Sequence, residues 1–227
     1  MRGFFGEHKL LILSGIIIVA FFGFAFSQKS VSIPSSPEEA TMFRTANTEG
    51  SMFKGPKDAT TTIIQYSDFL CPSCSLFSTQ VMPSIDENYI ATDKVNFEFR
   101  PMAFIADGSV QAGMGGYCAV DQNKFWPYHD SIYKFVAYEV FNNGKDPKSD
   151  VILTASLVKN IAKSSGLDSQ SFDTCLDSNK HLTDIQTATT TANQNGVTGT
   201  PYIMVDGEVY QGNMTLTAFE ALVKAKL

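Results

Sequence analysis

The stretch TTIIQYSDFLCPSC, residues 61–74, joins a β-branched apolar run to two cysteines that stand two residues apart. Isoleucine, threonine and tyrosine favour strands, so residues 61–66 predict a strand. Pro72 suits the first turn of a helix, because the N–H that it lacks would have no partner there. We therefore predict a strand that leads through Cys71 into a helix, with Cys71 at the helix N-terminus.

That position makes the cysteine pair suitable for redox chemistry. Across Pro72 and Ser73, the thiols of Cys71 and Cys74 can close a small disulfide if the chain turns there. The unpaired N–H groups and the dipole of the helix favour a thiolate on Cys71. Because the thiolate is the nucleophile of thiol–disulfide exchange, the pattern predicts a reactive disulfide.

Half a zinc site and an inert surface disulfide are the alternative interpretations of this pair. A structural zinc ion needs four ligands, commonly from a second CxxC or a closely spaced histidine pair. Cys118 and Cys175 stand singly, and the histidines form no pair at ligand spacing: His8, His129 and His181. We therefore predict no metal site, while the inert disulfide stays open.

The C-terminal part of the chain carries a second signal. The run GVTGTP, residues 196–201, precedes two β-type runs at 202–205 and 208–210 that Asp206 and Gly207 join. Asp-Gly between two such runs is typical of a tight hairpin turn. Thr200-Pro201 alone marks an ordinary loop boundary more often than a special site, although proline can open a strand after a cis bond.

Together these stretches resemble the DsbA family of thiol–disulfide oxidoreductases. The resemblance spans residues 51–227 and rests on SDFLCPSC (67–74), GGYC (115–118), KFWPYHD (124–130) and GVTGTPYIMVDG (196–207). It implies an α/β thioredoxin-like fold with a helical insertion at about 107–195. The pattern from residue 107 onward is mostly helical, with breaks at 142–147 and 165–168.

The resemblance also implies roles for single residues. Cys71 is expected to be the exposed, attacking cysteine and Cys74 the buried, resolving one. Pro201 is expected to follow a cis bond from Thr200 and to lie against the two sulfurs, where it shapes the substrate groove. In that family the disulfide passes to substrate proteins, no cofactor is implied, and a quinone-linked membrane protein is the expected recycling partner.

Position 65 departs from the family pattern. Many relatives place a buried glutamate six residues before the first cysteine, where it manages protons on the buried sulfur, but this chain has Gln65. Glutamine cannot take up a proton, so that role is absent or has moved to Asp68 or Glu98. For Asp68 we prefer a structural role as a turn or cap carboxylate beside the helix start.

Local patterns predict further elements along the chain. Residues 95–100 alternate as a half-buried strand that ends at Pro101, and Pro83 is expected to kink the helix that follows the cysteine pair. The aromatic run 125–135 predicts core packing, with His129 a packed, hydrogen-bonded histidine. Cys118 and Cys175 lie on separate predicted helices, and an oxidising compartment favours their pairing, although two buried thiols remain possible.

The N-terminus predicts the compartment. Residues 10–26 carry no charge and follow Arg2 and Lys9, which predicts a transmembrane anchor with residues 1–9 in the cytoplasm and the rest outside. Cleavage of a signal peptide near residues 25–27 is the alternative. Residues 27–50 predict a polar tether. In either case the domain faces an oxidising space, where disulfides persist.

These observations predict one membrane-tethered domain that introduces disulfides into reduced or unfolded secreted proteins. With 227 residues, 44% of them hydrophobic, the chain can bury one sizeable core. A net charge of −6 argues against nucleic-acid binding, which needs a basic face. A disulfide reductase or isomerase remains an alternative, as does a non-enzymatic binding or chaperone module whose CxxC is structural.

Overall fold

The computed structural model describes residues 52–211 and 215–227. The predictions for residues 1–50, which concern the cytoplasmic end, the anchor and the tether, lie outside these residues. Among the residues that are described, no helix is both long and apolar enough to cross a membrane.

Five strands form one sheet in the described part of the chain, in the order β1-β3-β2-β4-β5. Strands β2 and β3 run parallel over their whole length, and the other neighbours are antiparallel. Because β2 lies in the centre, seven of its eight residues are buried. The strands are β1 (Phe53–Lys54), β2 (Thr61–Asp68), β3 (Val95–Met102), β4 (Tyr202–Val205) and β5 (Glu208–Gln211).

Helices surround this sheet, and most of them lie between β3 and β4. Helix α1, residues 72–90, alternates α-helical and π-helical segments: Pro72–Leu76, Phe77–Val81, Met82–Ile85 and Asp86–Ile90. The helices that follow are α2 (Asp107–Val120), α3 (Phe125–Phe141), α4 (Ala155–Ser164), α5 (Ser169–Asp177), α6 (Leu182–Gln194) and α7 (Leu216–Lys226).

The insertion α2–α6 shares its core with the sheet. Phe69, directly after β2, packs its ring against Phe99 of β3 and against Tyr128 and Tyr133 of α3. At the edge of the sheet, the indole N–H of Trp126 donates to the carbonyl of Phe53 in β1, 3.3 Å away. Aromatic side chains therefore join the insertion to both the centre and the edge of the sheet.

The expected end of β3 at Pro101 is wrong, because the strand continues through this residue to Met102. The N–H of Phe99 donates to the carbonyl of Met52 at 2.8 Å, so the nitrogen of Pro101, two residues on, faces the same side. Strand β1 pairs only with Phe97 and Glu98 of β3. The position of Pro101 therefore needs no donor, and a proline is tolerated there.

Pro83 lies inside α1, in the segment Met82–Ile85, and the kink expected there stays a prediction. The preceding segment Phe77–Val81 is a π-type turn, in which backbone hydrogen bonds span one residue more than in an α-helix. Proline removes one backbone donor and crowds the carbonyl four residues earlier. The wider π-type turn leaves room for the proline ring, so the helix continues although one backbone donor is missing.

Two adjacent glycines of α2 provide a test of packing between α2 and α3. A Cβ atom at position 115 would overlap the hydroxyl of Tyr128, which donates to the carbonyl of Ala112 at 2.8 Å. We expect Gly115→Ala to lower the free energy of unfolding by about 1–3 kcal/mol through overpacking. Urea denaturation with both disulfides intact measures this change.

Gly116→Ala is the matched control. The nearest atom to an added Cβ is Phe69 Cε2 at 3.4 Å, an ordinary contact, and alanine is the better helix former. This variant should be unchanged or more stable by up to about 1 kcal/mol. Equal destabilisation of both variants would contradict the proposed fit between α2 and Tyr128.

Candidate active site

The cysteine pair lies where β2 ends and α1 begins. The N–H of Cys71 donates to the carbonyl of Asp68 at 3.0 Å, which closes a turn after the strand. Cys71 is the extended residue that caps the helix, and Pro72 opens the first turn. The Sγ atom of Cys71 accepts a hydrogen bond from the N–H of Cys74 at 3.1 Å. The helix start thus directs a backbone donor at this sulfur.

Cys71 and Cys74 form a disulfide, with their Cα atoms 5.2 Å apart. The expectation that Cys71 is exposed is wrong for this oxidised form, since only 3% of the residue is accessible, against 0% for Cys74. The loop before β4 contributes to the low accessibility of Cys71, because the carbonyl oxygen of Thr200 lies 3.3 Å from Cys71 Sγ. The bond from Thr200 to Pro201 is cis. The structure therefore brings Thr200 to the redox pair.

Asp68 uses both carboxylate oxygens to hold two loops together. Its Oδ1 atom accepts the N–H of Leu70 at 2.8 Å, and its Oδ2 atom accepts those of Phe104 at 2.9 Å and Ile105 at 3.2 Å. Burial raises the pKa of Asp68, while these bonds and one from Ser109 act in the opposite direction. The carboxylate thus links the loop before Cys71 to the loop after β3.

Gln65 begins a buried polar chain beneath the active site. Its Nε2 atom donates to Ser67 Oγ at 3.3 Å, and this hydroxyl lies 2.6 Å from that of Tyr133. Tyr133 in turn donates to the carbonyl of Asp68 at 3.3 Å. Within the described residues, the Oε1 atom of Gln65 has no hydrogen-bond partner. A neutral network therefore occupies this position, where the family resemblance implies a buried carboxylate.

Glu98 is engaged on another part of the sheet. Its Oε1 atom lies 2.8 Å from Arg100 Nε, and Arg100 also donates to the hydroxyl of Tyr66 at 2.7 Å. The carboxylate of Asp68 accepts hydrogen bonds from the backbone of both loops. The two carboxylates that could take over the proton-transfer role, Asp68 and Glu98, thus both have structural partners.

A protein-family model described as thioredoxin matches residues 47–225. The chain belongs to this family. It is 28% identical over 175 residues to the probable disulfide bond formation protein D of Bacillus anthracis, which covers 75% of this chain and 74% of that relative. These matches confirm the family suggested by the CxxC motif and its surroundings.

Solved structures support the same conclusion about the fold. The chain is similar to oxidised BdbD from Bacillus subtilis, with a TM-score of 0.67, 20% identity, and coverage of 78% of this chain and 92% of that chain. For DsbA from Chlamydia trachomatis the TM-score is 0.66, the identity 18%, and the coverage 79% and 93%. The predicted α/β thioredoxin-like fold with a helical insertion is confirmed. The protein is a DsbA-like thiol–disulfide oxidoreductase with the CxxC pair Cys71 and Cys74.

A second disulfide lies in the insertion of this oxidoreductase, where Cys118 of α2 is bonded to Cys175 of α5. Two polar residues beside it gave no signal in the sequence. His181 Nε2 and Asp121 Oδ2 lie 2.9 Å apart, and this carboxylate oxygen lies 3.9 Å from Cys175 Sγ. Only the fold brings these residues together, because their positions along the chain are far apart.

His129 is packed in the core, 2% exposed. Its Nδ1 atom lies 2.8 Å from Asp130 Oδ1, and its Nε2 atom lies 3.3 Å from the hydroxyl of Ser78 on α1. The rings of Phe99 and Tyr133 meet it edge to face. Burial lowers the pKa of His129, although Asp130 acts in the opposite direction. The neutral imidazole therefore serves as a packed link between α3 and α1.

The lowered pKa of His129 predicts a pH dependence of stability. Between the folded pKa and the ordinary value of 6.5, the unfolded chain binds more protons, so stability rises with pH in this window. The stabilising contribution is present above about pH 6.5 and is lost as the pH falls through the folded value. Urea denaturation between roughly pH 5 and 7.5 should show the free energy of unfolding falling as the pH falls.

His129→Phe separates this effect from the titration of carboxylates. Phenylalanine fits the aromatic surroundings but has no titrating group, although it loses the contact with Ser78. We expect the variant to be less stable at pH 7.5 and to lose less stability than the native protein on acidification. An unchanged pH dependence would show that His129 does not titrate in this window.

Proposed function

We propose that this protein is an oxidase that introduces disulfides into exported or surface proteins. A substrate thiolate attacks Cys71 Sγ, the bond to Cys74 breaks, and Cys74 departs as a thiolate. A second substrate thiolate then attacks the substrate sulfur of the mixed disulfide. The substrate leaves oxidised, Cys71 leaves as a thiolate, and two electrons remain on the cysteine pair.

The hydrogen bond from Cys74 N–H to Cys71 Sγ carries this proposal. At 3.1 Å it belongs to the first turn of α1, where backbone donors and the helix dipole favour negative charge. These groups stabilise the thiolate of Cys71 in the reduced protein and as a leaving group. Because stabilising the reduced form weakens the disulfide, this arrangement favours transfer of the disulfide to substrates.

Neutral neighbours support the same direction of exchange. Gln65 replaces the buried carboxylate, and neither Pro72 nor Ser73 between the cysteines carries a charge. A further like charge near the pair would destabilise the thiolate, and the neutral groups at these three positions add none. The buried carboxylate of Asp68 is compensated by three backbone N–H donors. Stabilisation of the thiolate therefore depends on the backbone donors of α1.

The position of Cys71 at the helix start supports its role as the attacked residue. Both cysteines are buried in the oxidised form, Cys71 at 3% and Cys74 at 0%, and the Sγ atom of Cys71 accepts a backbone N–H at the start of α1. Phe104, half exposed, belongs to the loop that Asp68 links to the cysteine loop.

The N-terminal sequence supplies the proposed compartment. Residues 10–26 anchor the protein in the membrane, residues 1–9 stay in the cytoplasm, and 27–50 tether the domain 51–227 outside. Each cycle leaves Cys71 and Cys74 reduced, so a further oxidant has to restore their disulfide. A quinone-linked membrane protein in the same bilayer is the proposed recycling partner.

Trapping of mixed disulfides tests the roles of the two cysteines. In Cys74→Ser, Cys71 keeps its place at the helix start, but the thiol that reverses the first step is lost. After activation of Cys71 with an aromatic disulfide, an unfolded protein with a single cysteine has no second thiol to release itself, so we expect its adducts to build up roughly tenfold or more above those of Cys71→Ser. Non-reducing gels followed by reduction measure them.

Cys71→Ser is the matched control, because its remaining Cys74 is fully buried. Comparable adducts on both variants would refute the assignment of Cys71 as the attacked residue. Adducts on neither variant would favour an inert disulfide in a binding or chaperone module.

The reduction potential of the Cys71–Cys74 disulfide tests the direction of transfer. Equilibration of the full chain with glutathione buffers, read by alkylation of Cys71, should give a value above about −200 mV for an oxidase. A value below about −300 mV would contradict the proposal and favour a structural bridge. A value between these limits would instead favour a reductase.

A further inference from the structure

The second disulfide lies within a cluster of metal-ligand atoms. The sulfurs of Cys118 and Cys175 and a ring nitrogen of His181 all lie within 4.8 Å of one another. These residues come from α2, from α5 and from the turn before α6. The two sulfurs are joined by a bond in the oxidised form, so they have to separate on reduction to reach the spacing of neighbouring ligands of a tetrahedral zinc ion.

Asp121 offers a fourth ligand on the same side of the cluster. Its Oδ2 atom lies 2.9 Å from His181 Nε2 and 3.9 Å from Cys175 Sγ. Two sulfurs, one imidazole nitrogen and one carboxylate oxygen make a set of ligands that zinc accepts. The carboxylate is partly exposed, so a metal ion has a path of entry from solvent.

The surroundings of His181 orient its ring for this role. Its Nδ1 atom lies 2.5 Å from Asp184 Oδ2, and the ring stacks on Tyr117 with centroids 5.5 Å apart. A carboxylate on one ring nitrogen fixes the tautomer and presents the other nitrogen, here Nε2, to a metal. This carboxylate–histidine arrangement is typical of zinc sites.

We propose that reduction of the Cys118–Cys175 disulfide creates a zinc site formed by Cys118, Cys175, His181 and Asp121. A dithiol supplies two electrons and two protons, opens the disulfide to two thiols, and is itself oxidised to a disulfide. Zn²⁺ then displaces both thiol protons and binds the two thiolates. Oxidation and zinc binding therefore exclude each other.

Charge balance favours the filled site. Two thiolates and one carboxylate exceed the charge of Zn²⁺ by one negative charge. The ammonium group of Lys180 lies 2.7 Å from Asp121 Oδ2 and neutralises this excess. Zinc would thus keep α2 and α5 joined in the reduced protein and would protect two thiols from exchange with the active site.

Cobalt binding to the full-length chain tests the proposal. A Cys71→Ser/Cys74→Ser background removes the other thiols, and a phosphine reduces the second disulfide without adding sulfur ligands. We expect one Co²⁺ per chain in the reduced protein, with a sulfur-to-cobalt charge-transfer band that Zn²⁺ abolishes. The oxidised protein should lack this band. The absence of binding after verified reduction would overturn the proposal.

Variants on that background distinguish a built site from two free thiols. Asp184→Asn should weaken zinc affinity roughly 10- to 100-fold by loosening the His181 ring, and His181→Gln should cause at least as large a loss. His8→Gln is the matched control and should bind as the background does. Far-UV circular dichroism of the oxidised variants checks their folding. Equal affinity in all variants would refute the proposed role of His181.

Discussion

The buried carboxylate of Asp68 accepts backbone N–H groups from both loops that meet beside the redox pair. One loop leads from β2 to Cys71, and the other leads from β3 to the insertion. Burial of a carboxylate opposes its ionisation, so the site depends on several donors being in place together. The start of α1 and the loop around Phe104 are therefore not independent, and their relative position follows from one side chain.

Neutral polar groups extend from this anchor into the core. The chain from Gln65 through Ser67 to Tyr133 ends at the carbonyl of Asp68. Tyr133 belongs to α3, so a helix of the insertion takes part in holding the turn before Cys71. The insertion thus serves as part of the framework of the active site as well as a cover on the thioredoxin-like sheet.

Local signals in the sequence are sufficient for the start of β2, the helix start at Pro72 and the hairpin turn at Asp206 and Gly207, because each depends on neighbouring residues. The strand β2 runs two residues beyond its predicted end at residue 66. The continuation of β3 through Pro101 does not follow from the sequence, because a strand tolerates proline only where the proline nitrogen faces no partner strand. The low accessibility of Cys71 depends on Thr200, far along the chain. Likewise, spacing rules for metal ligands overlook His181, since three separate helical segments bring its partners together.

Trp126 is the single tryptophan of the chain, and its position determines what intrinsic fluorescence can report. Its indole N–H binds the Phe53 carbonyl, its ring lies 5.1 Å from that of His129, and the ammonium group of Lys54 lies 4.2 Å from its centroid. Emission therefore records the attachment of α3 to the outer strand β1. During unfolding, tryptophan fluorescence would report the separation of β1 from α3. The redox state of the cysteines would need a separate measurement.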